Sequence, residues 1–456
     1  MERKKVLGFW DLAFFSFCAI FGLEAIATSA AIGPSAISWW LVCIIGYFLP
    51  FGFIAAELGS AYPEQGGIYV WIKNALGNKW AARSIWFYWV SLPVWLPAIY
   101  IATTDIISNT FSLNISLWQQ ILIGIVLIWV AVGINLLPLR ISKWIPNVGA
   151  VSQFFVVVGV VLAATVYFLR NRCFANEITI TNVLPNLDAA IVFIPVIMYN
   201  LMGCELISAA AGEMKNPQRD VPKALIVSAI VIALLYLVTT FSVLVVIPSY
   251  QINVASGILQ MFTIALSGHS MKQVISIIFG LIITLAFFSG IVTWNLSQNR
   301  TVAETANNGE LPKILGKMNK NMAPIGASII SGIISTAVII IYGFIAENAA
   351  ELFWQVISIS LVIGLFSYLM LFPSFIILRI KDKTVKRPYR VPGPEWFAVF
   401  LAVMAEVFVL TAVLVLIIQP GHDFNKFSLP VIIGVLIVII LGEILSGRFS
   451  KKNISI

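Results

Sequence analysis

The fold is decided by two stretches of sequence, Phe17-Cys18-Ala19-Ile20-Phe21-Gly22-Leu23-Glu24 and Tyr199-Asn200-Leu201-Met202-Gly203-Cys204-Glu205. Each places a glycine and a carboxylate in the middle of a long apolar run. Glycine weakens a helix interior, and a charged group is costly where a helix crosses lipid. Both runs are therefore predicted to be membrane spans that are interrupted near their centres.

The rest of the chain has the same apolar character. Of its 456 residues, 60% are hydrophobic and 11% are charged, and the mean hydropathy is +0.97. Such values exclude a soluble enzyme. Apolar runs long enough for a helix to cross the hydrocarbon core recur throughout, and they predict an all-α polytopic membrane protein with about twelve spanning helices.

The predicted spans are Val6 to Ile32, Ile37 to Leu58, Ile85 to Ser108, Leu117 to Leu137, Val148 to Leu169, Ala189 to Gly212, Lys223 to Val246, Val274 to Thr301, Gly326 to Ile345, Phe353 to Ile380, Trp396 to Ile418 and Leu429 to Leu445.

Basic residues predict the orientation, because short cytoplasmic loops collect Lys and Arg. With both termini inside, all but four of the 28 basic residues fall on the cytoplasmic side, and the exceptions are Arg170, Arg172, Lys272 and Lys426. The net charge of +8 therefore reflects topology and does not predict a nucleic-acid partner. We expect a multi-pass protein of the cell membrane, with lipid around it and homo-oligomerisation left open.

Residue usage also excludes several kinds of site. His269 and His422 both lie in predicted loops, which argues against histidine-ligated metal or haem within the membrane. No phosphate-binding GxxxxGK[ST] pattern is present. We predict no metal, no cofactor and no enzymatic activity. A disulfide framework is not expected, because only one of the four cysteines is predicted outside; they are Cys18, Cys43, Cys173 and Cys204.

One membrane domain accounts for residues 1–456, since no long polar linker divides the spans. The two interrupted spans lie five spans apart, a spacing typical of transporters built from two inverted five-helix repeats. The sequence therefore predicts a first repeat at about 6–169, a second at about 187–380, and two added helices at about 396–445. Short surface helices are expected between Gly59 and Arg83 and between Ala255 and Leu266.

Four motifs carry a resemblance to a known family. They are Ala56-Glu57-Leu58-Gly59-Ser60-Ala61-Tyr62-Pro63-Glu64-Gln65-Gly66-Gly67-Ile68-Tyr69-Val70-Trp71; Gly203-Cys204-Glu205 with Gly212-Glu213-Met214-Lys215-Asn216-Pro217-Gln218-Arg219-Asp220-Val221-Pro222-Lys223-Ala224; Asn308-Gly309-Glu310-Leu311-Pro312; and Lys386-Arg387-Pro388-Tyr389-Arg390-Val391-Pro392-Gly393. In these motifs and their order, the sequence resembles the amino acid, polyamine and organocation (APC) superfamily of permeases. It looks most like bacterial antiporters that exchange an amino acid or amine precursor for its decarboxylated product, of the glutamate/GABA or arginine/agmatine type.

The resemblance implies a LeuT-type fold of five plus five helices with two more, working by alternating access. Trp294 and Tyr199 match aromatic gates of that family, and Glu205 matches an acid that senses substrate or couples gating to protons. Free backbone groups at the two breaks could bind a solute, whereas the alternative is ordinary packing of small residues. The expected substrate-binding residues are Cys18, Ala19, Ile20, Glu24, Tyr199, Asn200, Gly203, Glu205 and Trp294.

The ionisable groups predicted to be buried at depth in the spans, Glu24, Asp105 and Glu205, are all carboxylates, while no Lys or Arg lies at the middle of a span. Intramembrane charges tend to be functional, and acids favour a cationic solute. Asp105 is a further candidate acid of the cavity, although solvation near the outer side is its alternative. Asp11, Glu57 and Glu443 are predicted to be structural, and Glu406 is predicted to be peripheral to transport.

These residues predict exchange of an amino acid for its decarboxylated amine or of a polyamine precursor for its amine product, and agmatine for putrescine is a candidate pair. Proton-coupled amino acid uptake is an alternative, although Gln153 lies near the position where some proton-driven relatives have a lysine. A glutamate/GABA-type or tyrosine/tyramine-type antiporter remains open. A receptor or transporter subunit that moves no solute is a different class, and the residues alone do not choose the substrate.

Overall fold

A computed structural model describes residues 5–185, 195, 197–254, 256–268, 270–418 and 429–450. In these ranges the chain is helical apart from turns, loops and one isolated parallel bridge between Leu7 and Met214. The start of the predicted sixth span, at 189–194 and 196, lies outside the described residues. His269, His422 and Lys426 lie outside them too.

The α-helices are α1 Phe9–Ile20, α2 Leu23–Ala30, α3 Ala36–Cys43, α4 Leu49–Ala61, α5 Ile68–Leu76, α6 Asn78–Thr110, α7 Leu117–Asn135, α8 Leu139–Ser142, α9 Trp144–Asn171, α10 Ile180–Val183, α11 Pro217–Val246, α12 Gly257–Ala265, α13 Lys272–Asn307, α14 Ile325–Gly343, α15 Ala349–Tyr368, α16 Leu371–Lys381, α17 Glu395–Ile418 and α18 Leu429–Ser450. A π-helical turn, Ile44–Phe48, joins α3 to α4, and a 3₁₀ helix occupies Leu206–Glu213.

Ten helical segments are long and apolar enough to cross a membrane, in the part of the chain that the structure describes, and the apolar segment Val431–Leu445 is shorter. The polytopic helical fold is thereby confirmed. The spans follow the prediction closely; α7 begins at Leu117 and α17 ends at Ile418, as expected. Helices α5 and α12 lie where the two short surface helices were expected.

The bundle is organised around two long helices. Helix α6 packs against α13, α14 and α15, and α11 packs against α1, α4 and α9. Fully buried aromatic rings such as Trp40, Trp71 and Trp89 fill the space between them. Large apolar side chains remain exposed on the outer faces, including Leu122 and Leu162, as lipid-facing helices require. The surface chemistry therefore matches a protein whose surroundings are hydrocarbon.

We call the end at which α1 and α6 begin the inner end; it is the predicted cytoplasmic side. Here the Val6 N–H donates to the Glu213 carbonyl over 2.9 Å. The Lys143 Nζ lies 2.9 Å from the Asp11 carboxylate, and Arg300 lies 3.4 Å from Glu213. These contacts tie the segment before α1 and the 3₁₀ helix after the second break to α13 and the start of α9, so several segments are linked at this end.

A buried carboxylate fastens the loop between α16 and α17 to α4. Glu57, which is 1% exposed, accepts hydrogen bonds from the Arg379 guanidinium at 2.5 and 2.9 Å. It also accepts from the Val391 backbone N–H at 2.7 Å and lies 3.1 Å from Arg387. Arg387 and Val391 belong to this loop, and Arg379 lies near the end of α16. The prediction that Glu57 is structural fits this arrangement, because its contacts hold the loop and the helix before it against α4.

Nearby, Tyr62 adds a second link to the same region. Its hydroxyl donates to the Asp382 carboxylate over 2.9 Å. Burial and this carboxylate raise the pKa of Tyr62, so the phenol remains a protonated donor at neutral pH.

Candidate solute-binding site

The first span is broken where predicted, between α1 and α2. The carbonyls at the end of α1 have lost their helical partners, and side chains of two other helices take their place. Gln153 Nε2 donates to the Phe21 carbonyl at 2.7 Å and to the Cys18 carbonyl at 3.3 Å. Trp294 Nε1 donates to the Ala19 carbonyl at 2.8 Å. The break is thus supported by hydrogen bonds from α9 and α13, as buried backbone groups require.

A single phenol joins the two breaks. The Tyr236 hydroxyl of α11 accepts from the Gly22 N–H at 2.8 Å. It lies 2.7 Å from the Ile20 carbonyl and 3.3 Å from the Asn200 carbonyl, and its one proton can be donated to either. The ring is fully buried and stacks on Trp40 with centroids 4.2 Å apart. Tyr236 therefore connects the first and second interrupted spans through their backbones.

The second break depends on glycine. Helix runs through residues 197–200, a turn follows, and Gly203 has φ of +113°, which L side chains rarely adopt. A Cβ at this position would lie 2.9 Å from Leu206 and 3.2 Å from the Ile20 side chain. Both the backbone angle and the close approach of the two breaks thus require the residue that the sequence supplies.

A small cavity opens beside the first break, with about 30 Å³ of space for water-sized molecules. Its lining includes Cys18, Ala19, Glu24, Trp95, Gln153 and Trp294. In the described part of the chain, Glu24 is the only charged residue in that lining. The space holds a few waters, so an organic amine would enter only with movement of the surrounding helices.

Glu24 and Asn200 both approach Gly22. A Cβ on Gly22 would lie 2.7 Å from Glu24 Oε1 and 2.8 Å from Asn200 Oδ1. No basic side chain among the described residues forms an ion pair with Glu24. The first break thus presents a carboxylate and an amide oxygen together, a combination that suits a cationic hydrogen-bond donor.

Three aromatic rings form one wall. The centroid of Trp95 lies 5.8 Å from that of Trp294 and 6.2 Å from that of Tyr199. All three side chains are buried, and two of them line the cavity. Such faces attract cations by about 0.5–2 kcal/mol. The wall can therefore both surround a solute and bind its positive end.

Glu205 lies apart from this cavity, in a separate polar cluster. Its carboxylate is 1% exposed, and Oε1 accepts hydrogen bonds from the hydroxyls of Tyr88 and Tyr368, each at 2.8 Å. Glu205 Oε2 has no hydrogen-bond partner in the described part of the chain. The cluster ties the second break to α6 and α15, so it can act as a latch whose strength depends on the charge of Glu205.

Asp105 lies toward the opposite, outer end of α6. Its carboxylate accepts from Asn109 Nδ2 at 3.1 Å, and Ser256 lies beside it. A second, smaller cavity nearby is lined by Ser256, Leu23 and Phe287. Because Leu23 and Phe287 line both cavities, they separate the central space from the outer one.

The predicted site residues therefore fall into three groups. Cys18, Ala19, Glu24 and Trp294 line the cavity. Ile20, Tyr199, Asn200 and Gly203 contact its walls through the backbones and rings described above. Along α6, Tyr88, which holds Glu205, precedes Trp95 of the cavity lining, and Asp105 follows it.

Sequence reasoning missed four residues of this region: Trp95, Tyr236, Tyr88 and Tyr368. The first two contact the cavity or the breaks, and the other two hold Glu205. A polar aromatic residue in the middle of a span is a weak signal, because the chain has 14 Trp and 12 Tyr residues. Only the folded arrangement distinguishes these four from interfacial anchors.

The role of Tyr236 is testable. Tyr236→Phe keeps the ring but removes the hydroxyl, leaving backbone groups at both breaks with fewer partners. We expect it to lower the free energy of unfolding by about 1–3 kcal/mol, measured as a shift in thermal melting of the detergent-purified protein. Tyr100→Phe is the matched control, because the Tyr100 hydroxyl is buried without a partner among the described residues. Equal losses in the two variants would refute the bridging role.

Comparison with known proteins places these observations in a family. The family model described as amino acid permease matches residues 7–441. A probable agmatine/putrescine antiporter of Lactococcus lactis is 33% identical to the chain, with 96% of this chain and 94% of the relative covered. A glutamate/gamma-aminobutyrate antiporter of Lactococcus lactis is 25% identical, with 99% and 92% covered. An uncharacterized transporter of Legionella pneumophila is 26% identical, with 92% and 91% covered.

Proposed function

The chain belongs to the amino acid permease family, and on that premise we propose that it is a membrane transporter, rather than an enzyme, that exchanges agmatine for putrescine. The solute moves by alternating access, and both termini lie in the cytoplasm. The agmatine/putrescine antiporter that is 33% identical over nearly the whole chain supports this choice of substrates.

One observation carries the proposal: the charge of the central cavity. Its lining contains the carboxylate of Glu24 and the faces of Trp95 and Trp294, without a basic residue in the described part. A substrate carboxylate would meet no cation there and would lie against Glu24. An amine or guanidinium would instead gain an ion pair and cation–π contacts. The cavity therefore favours an amine that has lost its carboxylate.

The same charge gives a physical reason for exchange. When the cavity closes around Glu24 without a cation, a carboxylate is left with little water and no ion pair, which is costly. A bound amine offsets that cost, so the loaded protein crosses the closed state more readily than the empty one. The binding site then returns to the first side of the membrane only with a second amine bound, and such coupled exchange is antiport.

We infer the gates from the positions of the residues around the cavity. Leu23 and Phe287 divide the cavity from the outer one, while Tyr199, Trp294 and the Glu205 cluster lie on the other side of the solute. The broken spans move relative to α6 and α13, and the contacts at the inner end open when the cavity faces the cytoplasm. In this cycle Glu205 couples gating to its own charge, and it does not bind the amine directly.

Thermal stabilisation by amines tests the substrate assignment. We expect agmatine and putrescine to raise the melting temperature of the detergent-purified protein, because a ligand of the native state raises its apparent stability. Glu24→Gln should abolish most of that increase, since it removes the cavity charge. Glu443→Gln is the matched control, because Glu443 pairs with Arg83 at an exposed surface.

Two other outcomes would contradict the proposal. Stabilisation by glutamate or neutral amino acids, with none by amines, would favour the glutamate-type alternative. Accumulation of labelled amine in vesicles that contain no internal amine, at the rate seen in preloaded vesicles, would favour uptake over exchange.

A further inference from the structure

Glu406 is a partly buried acid that the proposed transport cycle does not use. It lies eleven residues after Glu395, about 16 Å along α17, which places it near the middle of the span. Glu406 Oε2 is buried and has no hydrogen-bond partner in the described part of the chain. A carboxyl group at this depth is costly, and such residues usually have a function. The sequence predicted it to be peripheral, so its position calls for another explanation.

The helix that carries Glu406 packs against an irregular turn. The π-helical turn Ile44–Phe48 contacts α17 so closely that a Cβ on Gly46 would lie 2.3 Å from the Phe408 ring. π-helical turns are rare and occur frequently at functional sites. A π-helical turn has one residue more than an α-helical turn, which changes the direction of the side chains that follow Gly46. Tyr47 is the first of these residues.

Tyr47 lies in the part of the bundle that contains both Glu205 and α17. Its side chain is fully buried, and its hydroxyl has no partner among the described residues. The turn that carries it packs against α17, and its ring lies 6.2 Å from that of Phe372, four residues after Tyr368, which donates to Glu205. Glu205 Oε2 is likewise buried and unpartnered. One phenol donor thus lies in the region between the Glu205 cluster and α17, and each of the two acids has an oxygen without a hydrogen-bond partner among the described residues.

We propose that Glu406 is a second proton-binding site, which controls the Glu205 latch through Tyr47. The Tyr47 hydroxyl has a single proton, so it can stabilise the charged form of one carboxylate at a time. When it donates to Glu406, Glu205 loses a donor and binds a proton from the aqueous phase. When Glu406 is itself protonated, the phenol turns to Glu205 and keeps it charged, which strengthens the bonds from Tyr88 and Tyr368.

Other charged groups near α17 have partners of their own. On α4, Glu57 pairs with Arg379 of α16, and Arg379 also pairs with Glu395 at the inner end of α17. The Tyr368 hydroxyl of α15 donates to Glu205, and Lys381 of α16 donates to the Asn74 carbonyl. The buried thiols of Cys43, beside the turn, and Cys204, beside Glu205, are only weak donors. The Tyr47 hydroxyl is a stronger donor, and it has no partner among the described residues.

Two substitutions should move the pH dependence of exchange in opposite directions. Glu406→Gln replaces a charged competitor with a neutral amide, so Tyr47 donates to Glu205 and the pH midpoint of exchange shifts toward acid. Tyr47→Phe removes the donor from Glu205, and the midpoint shifts toward alkali. We expect each shift to be about one pH unit. The measurement is exchange of labelled agmatine or putrescine in vesicles whose internal and external pH are equal.

The two control substitutions make the same chemical changes at other places in the protein. Glu443→Gln and Tyr100→Phe remove an exposed carboxylate and a buried hydroxyl elsewhere, and both should retain the wild-type midpoint. Unchanged midpoints in Glu406→Gln and Tyr47→Phe, or shifts in the same direction, would overturn the proposal.

The pH readout rests on the proposed function, so a second measurement is independent of it. Infrared difference spectra across pH, recorded without solute, should show a protonated carboxyl band that disappears in Glu406→Gln and changes frequency in Tyr47→Phe. Should no amine be exchanged while this band behaves as expected, the proposed function fails and the proton site stands. A spectrum that is the same in the wild type and both variants overturns the proton site, whatever is transported.

Discussion

Glu57→Gln is expected to lower the free energy of unfolding by about 3–5 kcal/mol, the largest change in stability that we foresee. The substitution removes the charge to which Arg379 and Arg387 are bound, and the Arg379 side chain is 5% exposed. A buried guanidinium left without its carboxylate keeps its desolvation cost and loses the compensating attraction. The neighbouring Glu395 offsets part of this loss, because it also pairs with Arg379.

Thermal melting of the detergent-purified protein measures the effect of Glu57→Gln directly. Glu443→Gln provides the comparison, since the ion pair between Glu443 and Arg83 is exposed and should be worth about 0–1 kcal/mol. If both variants melted at the same temperature, the buried pair could not be holding the loop between α16 and α17.

Glu205→Gln is expected to lower the ratio of exchange to uncoupled uptake at least tenfold. The carboxylate accepts two phenol hydrogen bonds, and bonds to a charged acceptor are about twice as strong as neutral ones. Weakening both by a total of about 1.4 kcal/mol or more changes the population of the closed latch by a factor of about ten or more. The gate would then open without a bound amine, so exchange would lose its strict coupling.

Counterflow separates the two effects of Glu205→Gln. Vesicles loaded with unlabelled putrescine report exchange, and empty vesicles report uncoupled uptake; the ratio of the two rates should fall toward unity. Tyr88→Phe and Tyr368→Phe each remove one of the two hydrogen bonds and should give intermediate ratios. A wild-type ratio in Glu205→Gln would show that the cluster has no part in gating.

Sequence was sufficient for the spans because their signal is local. An apolar run of sufficient length has few alternatives to a helix in lipid, and the predicted limits at Leu117 and Ile418 coincide with helix ends. The break in the first span was also readable, since Gly22 and Glu24 interrupt an apolar run within a few residues. The π-helical turn in the second span left no comparable mark, because residues 44–48 are as apolar as a regular span.

The site was predicted in part for the same reason. Glu24 and Trp294 could be proposed from position and motif. The residues that they contact, however, come from distant segments of the chain. Tyr236 lies more than 200 residues from Gly22 in the chain, with nothing in its neighbours to mark it. The sequence also grouped Glu24 and Glu205 as acids of one cavity, whereas the structure assigns them to separate clusters. Hydrogen bonds between distant spans are set by packing, which a single sequence does not display.

The bond pattern of Tyr236 has a mechanical consequence. The Tyr236 hydroxyl contacts the backbones of both interrupted spans. This removes a degree of freedom, because neither span can move far without stretching its contact with Tyr236. We therefore expect the two to rotate as one rigid lever, pivoting together with α11. Spin labels placed on these two spans should keep a constant separation throughout the cycle, while distances from either label to α13 change.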